Sequence, residues 1–362
     1  MNNRVVSDVS AKTTNSHEKI GIAVIGAGGV STSYLEFFAQ SALTELIAVA
    51  DPTDAVRQHV SRQYDLKTVG TNYTDVVQCD DIDLVCVFTP HHLHHPIVIA
   101  ALQAQKHVLC EKPVAISLQE ADEMIDLAEQ VGRRLFVTLN MRLNPIFSRT
   151  KEILGNDDLG QISMAYGSYF GYELERLADP DHWKGHLQKA GGGVLLDGGY
   201  HMVDLMNYFL GPAKSVQALT GQFSFDNPDK GEDNVSLLVE YESGGMGVIQ
   251  VSFAAPHVGC YREPTLVLEE TFIGSKGTLR GLYDYDTIEV TRKLELIKPE
   301  SGRQSLEVPE SGLDHKAQFI DCLINNTNPV GSAIDARNAL AVCVAAYQSV
   351  RSGRKEKVDW RY

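Results

Sequence analysis

The feature that most constrains this chain is an apolar run that leads into a glycine-rich turn and then into a helical pattern. Residues 20–25, IGIAVI, have the composition of a buried parallel strand. Residues 26–31, GAGGVS, follow, and apolar side chains then recur at helical spacing over residues 34–38. This order predicts the first strand–turn–helix unit of a dinucleotide-binding fold. Gly26 would allow the tight turn, and Gly28 would let a pyrophosphate approach the helix N-terminus closely.

An acidic residue ends the next predicted strand. Residues 46–50, LIAVA, run into Asp51, which lies 23 positions after Gly28. A carboxylate at this place would accept hydrogen bonds from the adenosine ribose hydroxyls and repel a 2′-phosphate. NAD is therefore the expected cofactor, and NADP is less favoured, since the nearest arginine is Arg57. Asp51 could also cap the following helix, and both roles can hold together. The third fingerprint position departs from the usual glycine or alanine, because it holds Ser31.

Strands and helices continue to alternate through the first part of the chain. Apolar runs at 84–88, 107–110 and 135–139 predict strands, and residues 96–104 and 118–128 predict helices. This alternation predicts a doubly wound parallel sheet. Such sheets bind ligands beyond the carboxyl ends of their strands. The candidate cofactor contacts at those ends are Thr89, Pro90, His94, Glu111, Lys112 and Asn140.

Four histidines lie within residues 91–95, but they do not predict a metal site. Adjacent histidines converge poorly on one ion, and no acidic or cysteine cluster accompanies them. We expect no metal. Most of the four should be exposed loop residues, with one of them facing the cofactor cleft.

The pattern changes after Pro145. Residues 162–170 alternate between apolar and small or polar types. Two pairs of strand-like runs flank short turns at 243–245, SGG, and 274–277, GSKG, which are hairpin signals. A last helix is expected over 336–351. The sequence thus predicts an α/β protein with a polar tail (1–18), a dinucleotide-binding domain (19–142) and a domain for substrate binding and oligomerisation (143–362) that carries a large, mostly antiparallel open sheet.

Asp197 and His201 are four positions apart in a stretch that follows three glycines, Gly191-Gly192-Gly193. On a helix they would share one face. A carboxylate beside a histidine fixes its tautomer and raises its basicity, which suits a proton acceptor. The alternative is an ordinary surface pair. Gly198 and Gly199 cost helix stability, and they indicate that another chain or a ligand approaches closely at this point.

Composition excludes several classes of function. The chain has 362 residues, 43% hydrophobic and 22% charged, with a net charge of −15. The negative charge argues against nucleic acid or an anionic membrane as the main partner. Neither a signal peptide nor a membrane-spanning run is apparent. The six cysteines show no CxxC spacing, and Cys86 and Cys110 lie in predicted core strands, which fits free thiols in a reducing compartment and a cytoplasmic location.

With these pieces placed, the chain resembles the glucose–fructose oxidoreductase / inositol dehydrogenase (Gfo/Idh/MocA) family. The resemblance rests on residues 26–30 (GAGGV), 89–94 (TPHHLH), 106–113 (KHVLCEKP) and 191–201 (GGGVLLDGGYH), and it covers nearly everything from about Lys19 onward. It implies a Rossmann domain followed by an α/β domain whose open sheet often forms subunit contacts, hence a homodimer or homotetramer. It also implies hydride transfer between a nicotinamide cofactor and a hydroxyl of a sugar or cyclitol.

The resemblance also implies roles for individual residues. Lys112 would hydrogen-bond the reacting oxygen, His201 would take the hydroxyl proton, and Asp197 would orient a second hydroxyl or support His201. Glu111 and Pro113 would hold the lysine loop beside the nicotinamide. The remaining cofactor contacts implied are Gly26, Gly28, Gly29, Val30, Asp51 and Trp183, and the remaining substrate contacts are Arg142, Tyr172 and His182. Trp183 could equally be plain packing, and Lys184 follows it where family members often have arginine.

Three functions remain open at this stage. The first is an NAD-dependent sugar or cyclitol dehydrogenase. The second is an NAD-dependent glycoside hydrolase, which oxidises its substrate transiently and accumulates no NADH. The third is a non-catalytic, cofactor-binding sensor. Retention of Lys112, Asp197 and His201 disfavours the sensor.

Overall fold

The computed structural model describes residues 19–227, 229–255, 266–285 and 290–362. The predicted polar tail (1–18) and Cys260 lie outside the described residues.

The first part of the chain forms a six-stranded sheet in which every neighbouring pair is parallel. The spatial order is β3-β2-β1-β4-β5-β6. The strands are β1 (Ile20–Ile25), β2 (Thr44–Ala50), β3 (Thr68–Gly70), β4 (Leu84–Val87), β5 (His107–Cys110) and β6 (Leu135–Val137). This is the order of a doubly wound dinucleotide-binding sheet, so the predicted fold class is confirmed. Cys86 and Cys110 are fully buried, as expected for core strands.

Helices join these strands because each carries one apolar stripe. They are α1 (Thr32–Gln40), α2 (Asp54–Gln63), α3 (Thr74–Val77), α4 (His94–Gln103) and α5 (Leu118–Gln130). The apolar spacing predicted for α1 is confirmed, since Tyr34, Leu35 and Phe38 are all buried. α5 begins where the Ser117 hydroxyl oxygen accepts a hydrogen bond from the Glu120 amide at 3.2 Å.

The second sheet has nine strands in the order β14-β13-β12-β11-β7-β10-β9-β8-β15. All its neighbouring pairs are antiparallel except β7 with β10. Both hairpins predicted from SGG and GSKG are confirmed. The strands are β7 (Ile162–Gly171), β8 (Ala213–Gly221), β9 (Asn234–Tyr241), β10 (Met246–Ser252), β11 (Leu266–Gly274), β12 (Thr278–Tyr285), β13 (Val290–Lys298), β14 (Gly302–Leu306) and β15 (Glu356–Lys357).

The remaining helices are α6 (Pro145–Gly155), α7 (Leu174–Ala178), α8 (Leu187–Ala190), α9 (Gly198–Leu210), α10 (His315–Asn325) and α11 (Ala333–Ser352). α9 packs on the second sheet through its two first glycines. A Cβ at Gly198 would lie 2.6 Å from the Tyr169 ring, and one at Gly199 would lie 3.1 Å from Val251. The close approach that these glycines indicated is therefore to the protein's own sheet, which corrects the expectation of a ligand or another chain at this point.

The last two helices return to the first part of the chain. Phe319 of α10 packs against Phe136 of β6 with ring centroids 5.6 Å apart. α11 lies against α5, where Arg337 donates to both carboxylate oxygens of Asp122 at 3.0 Å. Arg361, near the end of the chain, also donates to Asp122 at 3.0 Å. Asp122 thus joins two segments that are far away in sequence.

One face of the second sheet carries exposed apolar side chains. Direct pairing across the strands places Met164, Met246 and Ile273 in one row. The residue opposite Met246 on β9 is Glu240, and Leu238 and Leu219 lie on the same face at other registers. Leu238 is 58% exposed and Met246 is 55% exposed. We call this surface the outer sheet face. Helices α9 and α11 pack against the second sheet, and the glycine contacts of α9 involve the opposite face.

None of the helices in the described part of the chain combines the length and the apolar character needed to cross a bilayer.

Candidate active site

The glycine-rich turn has the geometry expected of a phosphate-binding loop. Gly26 has a φ of +83°, and a Cβ there would collide with the carbonyl of Phe88. A Cβ built at Gly28 or Gly29 would meet nothing within 4 Å, so this side of the turn is open to a ligand. Ser31 is fully buried, and its hydroxyl donates to the Gly28 carbonyl at 2.6 Å. The serine at the third fingerprint position therefore closes the turn on itself.

Asp51 lies at the end of β2, beside this turn. Its Oδ2 accepts a hydrogen bond from the Ala27 amide at 2.9 Å, and its Oδ1 accepts one from the Thr53 amide at 2.8 Å. The carboxylate thus contacts the glycine turn directly, and each oxygen keeps a second lone pair for a further donor. Arg57 donates to the carbonyls of Asp51 and Pro52 at 2.8 Å and pairs with Asp54.

Two buried polar atoms, at the ends of the strands on either side of β5, lack partners among the described residues. Thr89 Oγ1 follows β4 and Asn140 Oδ1 follows β6, and neither has a hydrogen-bond partner among the described residues. Buried polar atoms are nearly always paired in folded proteins. Together with the open side of the glycine turn, they fit a polar ligand lying across the carboxyl ends of the sheet. The residues present therefore fit a nicotinamide dinucleotide.

The Glu111-Lys112-Pro113 segment leaves the carboxyl end of β5. The Lys112 amide donates to Glu111 Oε2 within the segment at 2.9 Å and to the Thr138 hydroxyl at 3.0 Å, and the second contact anchors the segment to the end of β6. Burial raises the pKa of the Glu111 carboxyl, although Lys112 opposes this. The Lys112–Pro113 peptide bond is cis.

Lys112 and Asp197 meet between the two halves of the molecule. Lys112 Nζ donates to Asp197 Oδ1 at 2.8 Å and to the Asp197 carbonyl at 3.1 Å. Burial would raise the pKa of the Asp197 carboxyl, but Lys112 and Lys184 hold it well below its usual range. Asp197 therefore stays ionised and fixes the direction of the lysine.

Asp197 is positioned by a turn that a second carboxylate supports. Glu232 accepts hydrogen bonds from the amides of Gly193 and Leu195, each at 3.1 Å, and from the Tyr347 hydroxyl at 2.8 Å. These contacts hold the turn that leads to the N-terminus of α9. Sequence reasoning missed Glu232, because its partners are backbone groups 37 and 39 positions away.

His201 lies in the first turn of α9. Its ring stacks near Tyr169 of β7, with centroids 6.2 Å apart and an interplanar angle of 16°. Burial and the nearby Lys112 lower the pKa of His201 well below its usual range, so the ring is neutral near pH 7. No hydrogen bond joins Asp197 to His201 in the part of the chain that the structure covers. The two residues share the same turn, but the Asp197 carboxylate pairs with Lys112 and Lys184 instead of with His201.

Lys184 is a site residue that sequence reasoning did not place. It pairs with Asp197 Oδ2 at 2.5 Å and with Glu173 Oε2 at 3.3 Å. Burial would lower the pKa of Lys184, but Asp197 and Glu173 raise it, so the ammonium stays charged. The only signal in the sequence was its position after Trp183.

The histidines after β4 correct an expectation. His91 and His94 are buried, rather than mostly exposed, while His92 and His95 are half-buried. His91 contacts the carbonyl of Ala190 through Nδ1 at 2.8 Å, and its ring meets Trp183 edge-on at 4.5 Å. Burial lowers the pKa of His91 to about 3, so this ring is neutral.

His94 is fully buried, and its two ring nitrogens lie 2.8 Å from the Pro113 carbonyl and 2.9 Å from the Thr89 carbonyl. It holds two strand ends together. Both nitrogens face carbonyls of the protein itself, and because a neutral ring donates from only one nitrogen, only one of these contacts is a hydrogen bond. A role of His94 in cofactor binding stays a prediction.

Arg142 is not brought to the Lys112–Asp197 pair. It is buried and binds both carboxylate oxygens of Asp204, at 2.6 and 3.0 Å, and donates to the Val330 carbonyl at 3.2 Å. Its guanidinium is committed to the interior of the second half, so we withdraw it as a substrate contact.

The other sequence-predicted residues lie nearer the surface. Val30 is 60% exposed beside the open glycine turn. Tyr172 forms an antiparallel bridge with Ala254 just after β7. His182 accepts from the Lys184 amide at 3.3 Å and stacks near Trp183. None of these three has a described contact with Lys112 or Asp197.

A cleft opens beside Asp197. Its lining includes His91, Lys184, Asp197, Phe225 and Phe253, together with the glycines at 192 and 193. The cleft is thus lined both by charged side chains, Lys184 and Asp197, and by the aromatic rings of Phe225 and Phe253.

Sequence comparison matches both halves of the chain to models of known families. Residues 20–139 match the oxidoreductase family with an NAD-binding Rossmann fold, and residues 147–280 match the GFO/IDH/MocA C-terminal domain.

Two curated relatives illustrate the similarity. D-glucoside 3-dehydrogenase of Escherichia coli is 30% identical over 260 residues, which cover 67% of this chain and 73% of that protein. D-xylose 1-dehydrogenase (NADP(+)) 2 of Haloferax volcanii is 29% identical over 340 residues, which cover 93% of this chain and 99% of that protein.

Among solved structures, levoglucosan dehydrogenase in complex with NADH superposes with a TM-score of 0.81 at 20% identity, covering 95% of this chain and all of that one. At this identity the likeness concerns the fold.

Proposed function

The chain belongs to the Gfo/Idh/MocA family of oxidoreductases, and from this premise we propose that it is a dehydrogenase that transfers a hydride between NAD and a hydroxyl-bearing carbon of a sugar or cyclitol. The observation that carries the proposal is the convergence of Lys112, from the end of the parallel sheet, with Asp197 and His201, from the helix on the second sheet. A cationic donor and a neutral imidazole, carried by Lys112 and by the residue four positions after its partner Asp197, suit an oxygen that loses its proton as the adjacent carbon is oxidised.

Residues at the carboxyl edge of the first sheet would hold the dinucleotide. Gly26, Gly28 and Gly29 leave room for the pyrophosphate, and Asp51 would accept from the ribose hydroxyls. Thr89 and Asn140 offer unpaired polar atoms to the half that carries the nicotinamide. When bound, the nicotinamide ring supplies the acceptor for the hydride. Asp51 supports NAD over NADP, although one relative is named for NADP.

Lys112 and His201 would divide the work on the substrate oxygen. Lys112 would donate a hydrogen bond to the hydroxyl oxygen and stabilise the negative charge that builds up as its proton leaves. His201 would take that proton, because its lowered pKa keeps a ring lone pair free near neutral pH. Its ring makes no hydrogen bond to any described residue, so the lone pair is available to a substrate. Asp197 would hold Lys112 in its direction.

The substrate class is supported by the site and by the relatives. Around Asp197 the site offers the ammonium groups of Lys112 and Lys184 as donors to hydroxyl oxygens, and Phe225 and Phe253 line the small cleft beside them. The relatives named above are dehydrogenases of D-glucosides and D-xylose.

The test is NADH formation by the purified full chain with a panel of sugars and cyclitols, followed by absorbance. The expected result is accumulation of NADH with at least one polyol. His201→Gln should keep NAD binding and lose turnover, whereas Lys67→Met, at an exposed ion pair in the first half, should change neither. Glycoside cleavage without NADH accumulation would identify a hydrolase instead. NAD binding without any turnover across the panel would identify a sensor.

We also propose that the outer sheet face joins copies of this chain into a homodimer or homotetramer. It is an apolar row on a broad open sheet, and monomeric proteins rarely expose large contiguous apolar patches.

A further inference from the structure

The Asp197 carboxylate is held from two sides. Lys112 Nζ lies 2.8 Å from Oδ1, and Lys184 Nζ lies 2.5 Å from Oδ2. The side chains of Lys112, Asp197 and Lys184 are 14%, 12% and 18% exposed, so water replaces these contacts poorly. Each oxygen of the carboxylate therefore has its own ammonium partner, through a hydrogen bond at Oδ1 and through an ion pair without hydrogen-bond geometry at Oδ2.

A second partner on the far oxygen removes the rotation that a single contact leaves. With Lys112 alone, the carboxylate plane could tilt about the Cβ–Cγ bond and carry the accepting oxygen with it. With Lys184 paired to the other oxygen, the orientation of this plane is held from both sides, and so is the position of the oxygen that accepts from Lys112. Misplacing a reacting group by about 1 Å can cost about 100-fold in rate.

Glu173 is a second carboxylate partner of the same Lys184 ammonium. Its Oε2 lies 3.3 Å from Lys184 Nζ, and its backbone amide donates to the Phe253 carbonyl at 3.2 Å, which anchors the residue beside β10. The four side chains Glu173, Lys184, Asp197 and Lys112 thus alternate in charge along one line into the site.

We propose that Lys184 is a positioning residue for the oxidoreductase reaction, which locks the Asp197 carboxylate from behind so that Lys112 is aimed at the substrate oxygen. The catalytic role of Lys184 rests on the proposed function. The two-sided contact of Lys112 and Lys184 with Asp197, which we call the clamp, can be tested without turnover. In this chain the lysine reaches the carboxylate as a single point charge, and Glu173 neutralises it.

The same lysine acts on His201 through space. The charged groups that face the ring are Lys112 from the β5 end, Asp197 from its own turn and Lys184 from the segment after Trp183, and the Tyr169 ring covers it from β7. Burial lowers the pKa of His201 most, Lys112 and Lys184 lower it further, and Asp197 opposes them. Removing the Lys184 charge leaves Asp197 less neutralised, so the pKa of His201 must rise.

The kinetic test compares Lys184→Met, Lys184→Arg and Glu173→Gln with the unmodified chain, and Lys189→Met, an exposed lysine nearby on α8, serves as the control. We expect Lys184→Met to lower kcat about 10- to 100-fold with little change in the KM for the polyol. In Lys184→Met, the acidic limb of the profile of kcat against pH should move to higher pH. Lys184→Arg keeps the charge and should restore the position of that limb and most of the rate. Glu173→Gln should lower kcat less and leave the limb in place.

The second measurement needs no substrate. Histidine labelled at Cε1 reports the titration of each ring by NMR, and His201→Gln assigns the signal. The His201 midpoint should rise in Lys184→Met and stay unchanged in Lys189→Met and Lys184→Arg.

The outcomes separate the two proposals. If no polyol is oxidised by the unmodified chain but the His201 midpoint rises in Lys184→Met, the clamp stands and the proposed function fails. If the unmodified chain is active, and Lys184→Met raises KM alone or leaves the His201 midpoint in place, Lys184 is not a positioning residue.

Discussion

Lys112 and Asp197 are 85 positions apart in the sequence, yet the ammonium and the carboxylate meet at 2.8 Å between the two sheets. Neither half of the molecule contains this pair by itself. The ion pair also ties the end of β5 to the start of α9, so the geometry of the site depends on how the halves are packed together.

The first prediction concerns the lysine of this pair. Lys112→Met should lower kcat/KM about 10²- to 10⁴-fold, because the developing charge on the substrate oxygen loses its donor. The protein should still fold, since Lys184 keeps the Asp197 carboxylate paired. Steady-state kinetics and NAD titration by fluorescence measure the two effects. An unaltered rate in Lys112→Met would remove the lysine from the mechanism.

The second prediction concerns cofactor choice. Asp51→Asn removes the charge at the end of β2 and keeps the shape of the side chain. We expect NAD to bind about tenfold more weakly, which is about 1.4 kcal/mol, and NADP to bind better than before. Asp54→Asn is the matched control, because Asp54 is exposed and pairs only with Arg57 and Gln58 among the described residues. Dissociation constants for both dinucleotides decide the matter, and an unmodified chain that prefers NADP would contradict the reading of Asp51.

The third prediction concerns a buried carboxyl far from the site. Glu270 of β11 is buried, its Oε1 accepts a hydrogen bond from the Thr150 hydroxyl, and burial raises its pKa from 4.5 to about 8. Because the folded state holds this proton more tightly than the unfolded state, the stabilisation is complete below about pH 4.5. It is lost as the pH rises through about 8.

Glu270→Gln should therefore unfold with a weaker pH dependence than the unmodified chain. The free energy of unfolding of Glu270→Gln minus that of the unmodified chain should increase by about 1–3 kcal/mol between pH 5 and pH 8.5. Denaturant titrations at several pH values measure this. Glu269→Gln, on the neighbouring exposed side chain, should show the pH slope of the unmodified chain. Equal slopes in all three proteins would mean that Glu270 ionises freely in the folded state.

The fourth prediction concerns assembly. Replacing Leu238 and Met246 together by lysine places two charges in the outer sheet face, and burying them against a second copy would be costly. We expect the mass measured by light scattering to fall to that of a monomer while the circular dichroism spectrum is kept. Leu43→Lys changes an equally exposed side chain in the first half and should leave the mass alone. An unmodified chain that is already monomeric at working concentration would contradict the proposed interface.

Much of the fold could be predicted because its signals are local. The strand–glycine–helix unit at residues 20–40 and the two hairpins have spacings that a few neighbouring residues determine. Lys112, Asp197 and His201 could be placed in one site by resemblance. The parallel order of six strands follows from the alternation of strands and helices.

What could not be predicted depends on contacts between distant residues. Lys184 and Asp197 are separated by the four-residue helix α8 and the glycine-rich turn that follows it, so no periodicity in the sequence indicates that they meet. Arg142 resembles a ligand-binding arginine until its partner Asp204 is seen 62 positions away. His91 and His94 look like loop residues because their partners, the carbonyls of Ala190, Pro113 and Thr89, carry no side-chain signal.

The carboxylate of Asp122 has a consequence for how the chain is made. Its partner Arg337 follows 215 positions later, and Arg361 follows after 239. A ribosome therefore completes the whole parallel sheet, and then every strand of the second sheet except β15, before either arginine emerges. While the rest of the chain is made, the nascent first half must avoid aggregation although the surface of α5 around Asp122 is still uncovered. The contacts of Asp122 with Arg337 and Arg361 can form only at the end of translation.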